Sequence, residues 1–193
     1  MARFSTLVVF ALAALASAAP LKRRQTCTDV EEADDTTATA PVATVDGLPD
    51  FKNLQYADIQ ISSGVAGNAK EEAEANFVVP FANLDLATIP DDVQDAIETL
   101  REAAEDAETE LFNPAIAAAD GAEADALQVG KIKNKVLKLT AFETVLKIKL
   151  AKAQAAGDDT SDIESKITDE QTKLSNNIKT DQGSAGETSQ AVV

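Results

Sequence analysis

Two apolar stripes within residues 129–152 constrain the fold more than any other feature of the sequence. At the 100° per residue of an α-helix, the stripes fall on roughly opposite sides of this segment. A surface helix of a globular protein usually has one apolar face, so two faces indicate a helix that is covered from both sides. We therefore predict an all-α, up-and-down bundle of three or four helices with this segment at its centre. The first stripe contains Val129, Ile132, Val136, Leu139, Leu146 and Leu150, and the second contains Leu137, Ala141, Val145 and Ile148.

The lysines of this segment lie in or near the gaps between its apolar stripes. We expect the lysine stems to cover apolar edges while the ammonium groups remain in water. Glu143 takes an apolar position in the first stripe, and Lys147 follows one turn later, in the order that favours an ion pair. We predict that Glu143 sets the helix register or lies at the rim of the core. The lysines are Lys131, Lys133, Lys135, Lys138, Lys147, Lys149 and Lys152.

An acidic helix and a final helix are predicted on either side of this segment. Apolar residues between Val93 and Leu111 recur every three or four positions, and Asn113-Pro114 is expected to end that helix. Residues 85–125 contain 13 acids against Arg101, so they should pack beside the lysine-rich segment. The last helix carries an apolar face from Ile163 to Ile178 and should end near residue 183.

The segment before the acidic helix contains one more predicted helix. It should be capped by Ser62 or Ser63 and stopped by Pro80, with an apolar face formed by every fourth residue from Val65 to Phe77. Residues 47–61 read as a clip that packs its apolar side chains onto the bundle. The predicted bundle domain is therefore residues 47–182, followed by a flexible tail at 183–193.

The N-terminal residues read as a secretory leader. A short apolar run precedes small residues that end at Ala19, which predicts a signal peptide at residues 1–19 rather than a membrane span. Residues 20–24 form a short pro-segment whose basic triplet resembles the cleavage site of a Kex2-type protease. Cleavage there would make Gln25 the new N-terminus of an extracellular protein. The triplet is Lys22, Arg23 and Arg24.

Residues 25–46 are threonine-rich and acidic, and we predict a disordered leader because they offer too little apolar surface to offset ordering. Thr36, Thr37, Thr39 and Thr44 could carry O-linked sugars or remain unmodified. Cys27 is the only cysteine, so the chain cannot form an internal disulfide. Three alternatives remain for Cys27: a thiol that joins two chains, a thiol capped by a small thiol compound and a passive free thiol.

The amino-acid composition limits which reactions, metal sites and partners the chain can have. There is no histidine and no tryptophan, which excludes histidine-based catalysis and histidine metal sites. The net charge is −16, and removal of residues 1–24 takes four of the 17 basic residues and none of the 33 acids, which leaves −20. Nucleic acid is thus not expected as a partner. A calcium-like run begins at Asp158, but helix capping explains it more simply. We predict no cofactor, no metal and no enzymatic activity.

Three stretches resemble a family of small secreted proteins of filamentous ascomycete fungi. They are DIQISSGVAGNA (58–69), AAEDAETELFNPAI (103–116) and ALQVGKIKNKVLKLT (126–140). The resemblance covers most of the chain from about Leu54 onward. It implies a secretory signal and a helical body, and it implies no activity and no site residues.

The expected function is that of a secreted, non-enzymatic protein, either effector-like or wall-associated. It would act at the cell wall, at a hydrophobic surface or at a host interface, through a partner that the sequence does not identify. The alternative is a carrier whose helical bundle holds a lipid or another apolar ligand. A filled core would count against the carrier, whereas a continuous internal cavity would favour it.

Overall fold

The computed structural model describes residues 47–193, and the predicted signal peptide, pro-segment and leader lie outside them. Four long helices and several short elements make up this region. The order along the chain is α1 (Tyr56–Ile59), β1 (Gly64–Val65), α2 (Ala69–Phe77), α3 (Asp91–Asp106), a π-helical turn (Ala107–Phe112), α4 (Asn113–Ala118), α5 (Ala122–Ala156), α6 (Ser161–Gly183) and β2 (Thr188–Ser189). Short 3₁₀ turns at Val79–Phe81 and Leu86–Thr88 connect α2 to α3.

The four long helices run alternately up and down, as the sequence predicts. The start of α3 lies beside the end of α5, where Lys152 Nζ is 2.6 Å from Asp91 Oδ1. Helix α2 runs parallel to α5, since Lys133 of α5 donates a hydrogen bond to Asn68 just before α2, and Thr144, further along α5, donates one to the carbonyl of Phe77 at the end of α2. Helix α6 returns antiparallel to α5 after Gly157, whose left-handed conformation ends α5. The predicted all-α bundle is thus confirmed.

Helix α5 is the centre of the core. Val136, Leu137, Val145 and Ile148 are fully buried, so both predicted apolar stripes have neighbours. The chain before α1 forms the predicted clip, in which Phe51 stacks on Phe77 and Phe81 with ring centroids 6.1 and 5.7 Å apart. Helix α5 is one continuous helix of 35 residues, and α2, α3 and α6 all pack against it.

Ion pairs join α3 and its π-helical extension to α5, as their opposite charges predict. Lys138 and Lys135 lie 2.7 and 3.1 Å from the carboxylate of Glu108. Burial alone would raise the pKa of Glu108, but hydrogen bonds from the two lysines hold it below its ordinary value. Glu143 pairs with Lys147 at 2.8 Å, which confirms its predicted position at the rim of the core.

Two predicted helix boundaries are wrong. Asn113-Pro114 does not separate two helices, because the π-helical turn carries α3 directly into α4 and places Phe112 in the core. Neither Ser62 nor Ser63 caps α2, which begins at Ala69 after Asn68. Residues 64 and 65 instead form β1, and Val65 is exposed.

The C-terminal segment is not the flexible tail that the sequence predicts. Strand β2 pairs antiparallel with β1, in the register Gly64 to Ser189. The amide of Gln190 then donates to the carbonyl of Ala126 on α5, at 3.0 Å. A Cβ at Gly130 would lie 2.0 Å from the Gln190 carbonyl oxygen, so only glycine lets the tail cross α5 this closely. The small, polar residues of the tail are held by backbone hydrogen bonds, which a hydrophobic pattern does not reveal.

Within residues 47–193, no helix is both long enough and apolar enough to cross a membrane.

Candidate functional site

A surface groove lies where the N-terminal third of α5 meets the end of α6 and the C-terminal segment. We call it the tail groove, and its volume is about 700 Å³. Residues one turn apart place one face of α5 along the groove, and the chain after α6 closes the other side. The groove is lined by Ala122, Asp125, Ala126, Gln128, Val129, Ile132, Thr180, Asp181, Ser184, Gly186, Glu187 and Thr188.

Asp181 is the buried polar group of this groove, and its side chain is held by the fold. Only 2% of the residue is exposed. Its Oδ2 accepts a hydrogen bond of 3.0 Å from the amide of Ala69, the first residue of α2. The positive end of the α2 dipole favours a carboxylate at this position. The other oxygen, Oδ1, is buried and has no hydrogen-bond partner in the described part of the chain.

The strand pair positions the remaining wall of the groove. The amide of Ala66 donates to the carbonyl of Glu187, and the amide of Gly186 donates to the carbonyl of Ala66, both at 3.0 Å. Ser189 Oγ donates to the carbonyl of Ser62 at 2.5 Å. These bonds hold Glu187 and Thr188 opposite α5. The groove therefore presents the hydroxyl-bearing residues and the carboxylates of Asp181 and Glu187 on one side. The other side is the mainly apolar surface of α5, which also carries Asp125.

A second buried polar cluster surrounds Lys133, whose side chain is fully buried. Its Nζ lies 2.8 Å from Glu72 Oε2 and donates hydrogen bonds to the carbonyls of Ser63 and Val65. The prediction that all ammonium groups of this segment remain in water is wrong for Lys133. The loop before α2 folds over Lys133 and supplies backbone oxygens in place of water. Because the ammonium is fully partnered, the cluster joins α5 to α2 and has no open position for a ligand.

Tyr56 and Asn134 form a third polar contact inside the bundle. The hydroxyl of Tyr56 donates to Asn134 Oδ1 at 2.8 Å, and Asn134 Nδ2 donates to the carbonyl of Ala104 at 2.8 Å. Burial raises the pKa of Tyr56 to about 12. The neutral phenol that results is suited to holding the clip on α5 and α3.

The predicted site residues and the tail groove do not coincide. All the predicted positions lie outside the described residues, so their processing and thiol chemistry stay predictions. Sequence reasoning missed Asp181, although one signal was available. Asp181 follows Ile178 by three positions, so it occupies the place where the apolar face of α6 would continue. The positions outside the described residues are Ala19, Lys22, Arg23, Arg24, Gln25 and Cys27.

Comparisons with known proteins place the bundle, including the tail groove, within one family. No curated protein and no solved structure matches the chain. Residues 51–193 match the family model described as "Domain of unknown function (DUF8454)". This match spans α1 to β2 and well over half of the chain, so the protein belongs to the DUF8454 family.

Proposed function

We propose that the protein is secreted and acts outside the cell as a non-enzymatic, acidic binding protein. Its place of action would be the cell wall, a hydrophobic surface or a host interface. The observation that carries the proposal is the tail groove, an acidic pocket on a close-packed bundle. Because α5, α6 and the strand pair hold its walls, the groove is suited to binding.

Extracellular location rests on the sequence of residues 1–24. The apolar run that ends at Ala19 and the basic triplet at residues 22–24 have the order of a signal peptide followed by a processing site. The resemblance to small secreted proteins of filamentous ascomycete fungi supports the same location. We include a fungal origin and an effector-like or wall-associated role in the proposal on this basis.

The buried charged groups support a non-enzymatic role. Lys133 is enclosed by the loop before α2, and its ammonium is used by structural acceptors. Asp181 is tied through one oxygen to the start of α2. Both residues thus contribute to holding the fold.

The carrier alternative has less support. A ligand within the bundle would need space beside α5, where Val136, Leu137, Val145 and Ile148 are fully buried against their neighbours. The apolar wall of the tail groove, formed by Val129 and its neighbours, favours an apolar ligand. An apolar group could therefore contact the protein at its surface.

The test of secretion is to express the full chain in a eukaryotic secretory host and to determine the mass of the protein in the culture fluid. We expect a chain that begins at Gln25, with or without cyclisation of that residue. The matched control replaces Lys22, Arg23 and Arg24 by alanine, which should leave export intact and retain the pro-segment. Retention of the unmodified protein inside the cell would contradict the proposal.

The test of binding is adsorption of the secreted protein to insoluble wall glucan, to chitin and to alkyl-coated beads. We expect saturable adsorption to at least one of these surfaces. Repeating the measurement at high salt separates charge-driven from apolar adsorption, since salt screens exposed charges. Absence of adsorption to all three surfaces would contradict a wall or hydrophobic-surface role.

A further inference from the structure

We infer that the tail groove binds an aliphatic polyamine, with one ammonium group held by Asp181 and others by the rim carboxylates of Asp125 and Glu187. The inference rests on the proposed binding function and names the ligand chemistry of the same groove. Three features carry it: the unpaired oxygen of Asp181, the charge of the lining and the apolar wall of α5.

The unpaired oxygen of Asp181 points to a hydrogen-bond donor. Burying a carboxylate oxygen without a partner is costly, because the oxygen loses its contacts with water. Asp181 Oδ2 is already used by the amide of Ala69, so Oδ1 is the oxygen that remains for a ligand. An ammonium group supplies both the hydrogen bond and the opposite charge.

The charge of the lining selects a cation. Asp125, Asp181 and Glu187 come from α5, from α6 and from the segment after α6, and no lysine or arginine lines the groove. An anion would meet only repulsion from these carboxylates. Hydroxyls of Thr180, Ser184 and Thr188 also line the groove and can accept further N–H donors from an ammonium.

The apolar wall selects a ligand with an aliphatic chain. Ala122, Ala126, Val129 and Ile132 line the groove from one side of α5. A chain of methylene groups between two ammonium groups can cover this surface while its charged ends reach separate carboxylates. A divalent metal ion would leave this wall unused. A sugar ring usually stacks on an aromatic side chain, and none of the twelve lining residues is aromatic.

Titration calorimetry of the purified full chain at low salt tests the inference with three probes. Hexamethylenediamine and hexylamine share one aliphatic chain and differ in the number of ammonium groups, and spermidine adds a third nitrogen. We expect saturable binding of spermidine and of the diamine. Hexylamine should bind at least about fivefold more weakly than the diamine, because it leaves one carboxylate contact unmade.

Variants assign the site within the chain. Asp181→Asn keeps an oxygen for the amide of Ala69 and removes the charge, so the fold should persist by circular dichroism. We expect this variant to weaken spermidine binding by about tenfold or more, in line with a charged hydrogen bond. Asp125→Asn and Glu187→Gln at the exposed rim should each weaken binding by about two- to fivefold. The charge-matched control is Asp169→Asn on an exposed part of α6, which should leave the affinity unchanged.

Equal affinities for wild type and Asp181→Asn would overturn the inference, as would hexylamine binding as tightly as the diamine. Displacement of spermidine by magnesium at equal concentration would overturn it in favour of a metal site.

The outcome of this test is separable from that of the proposed function. A protein that adsorbs to wall material yet ignores amines contradicts the inference alone. A protein that binds spermidine yet stays inside the cell contradicts the proposed function alone.

Discussion

Lys133 is a single residue on which three segments of the chain depend. Its ammonium contacts the carbonyls of the loop before α2, the side chain of Asn68 and the carboxylate of Glu72. Removal of the ammonium would leave these oxygens facing an apolar core. A buried charge is therefore used here to fix the path of a loop that has few apolar residues of its own.

We predict that Lys133→Met lowers the free energy of unfolding by about 2 to 4 kcal/mol, because the buried oxygens lose their partner. Urea denaturation followed by circular dichroism measures the change. Lys149→Met is the control, since it makes the same substitution at a partly exposed position of the same helix. Equal midpoints for the two variants would contradict the role assigned to Lys133.

Tyr56 gives a direct measure of how the clip is buried. It is the only tyrosine, and the chain has no tryptophan, so tyrosinate absorbance reports this residue alone. With the pKa raised to about 12 in the folded protein, the neutral phenol favours folding. This contribution of the neutral phenol to stability is complete below the ordinary tyrosine pKa of 10.0 and is lost as the pH rises from there towards 12.

We expect the absorbance titration of the native protein to have its midpoint near pH 12 and that of the urea-unfolded chain near pH 10. Over this pH range the stability of Tyr56→Phe should fall less than that of the wild type. Lysines titrate over the same range in both proteins, so the comparison between the two isolates the contribution of Tyr56. A native midpoint equal to the unfolded one would mean that the phenol is exposed to water.

At the scale of elements, the sequence predicts helices well and the tail poorly. The two stripes of α5 and the seam of α3 are periodic over many residues, so their helices and packing faces follow from the pattern. The tail has no such period. Its place is decided by backbone hydrogen bonds to Ala66 and Ala126 and by the missing side chain of Gly130. The tail groove was missed for the same reason, since the tail forms one of its walls.

Gly130→Ala tests the contact between the tail and α5. Alanine favours the helix by about 1 kcal/mol relative to glycine, so an isolated α5 would gain stability. In the folded protein the new Cβ would meet the Gln190 carbonyl, and β2 would have to move away. We predict a lower melting temperature and faster amide hydrogen exchange at residues 188–190.

The matched control is Gly183→Ala at the end of α6, where a Cβ would meet nothing within 4 Å. It should leave the melting temperature unchanged or slightly raised. Slow exchange at residues 188–190 in Gly130→Ala would contradict the structural role of this glycine.

At the scale of the whole molecule, the sequence predicts that the folded domain begins at residue 47. The composition of residues 25–46 predicts no contribution to the core, whereas the clip that follows contributes Phe51, which is 3% exposed. We predict that chains beginning at Gln25 and at Gly47 unfold at the same urea concentration.

A chain beginning at Asn53 provides the contrast. It lacks Leu48 and Phe51, and the loss of the phenylalanine ring alone should cost about 3 to 5 kcal/mol. The rings of Phe77 and Phe81, on which Phe51 stacks, would then be exposed to water. If the chain from Gly47 were as unstable as the chain from Asn53, residues 25–46 would have to contribute to folding, and their prediction as a disordered leader would be wrong. Equal stability of the first two chains, with a large loss in the third, would place the N-terminal boundary of the folded domain at the clip.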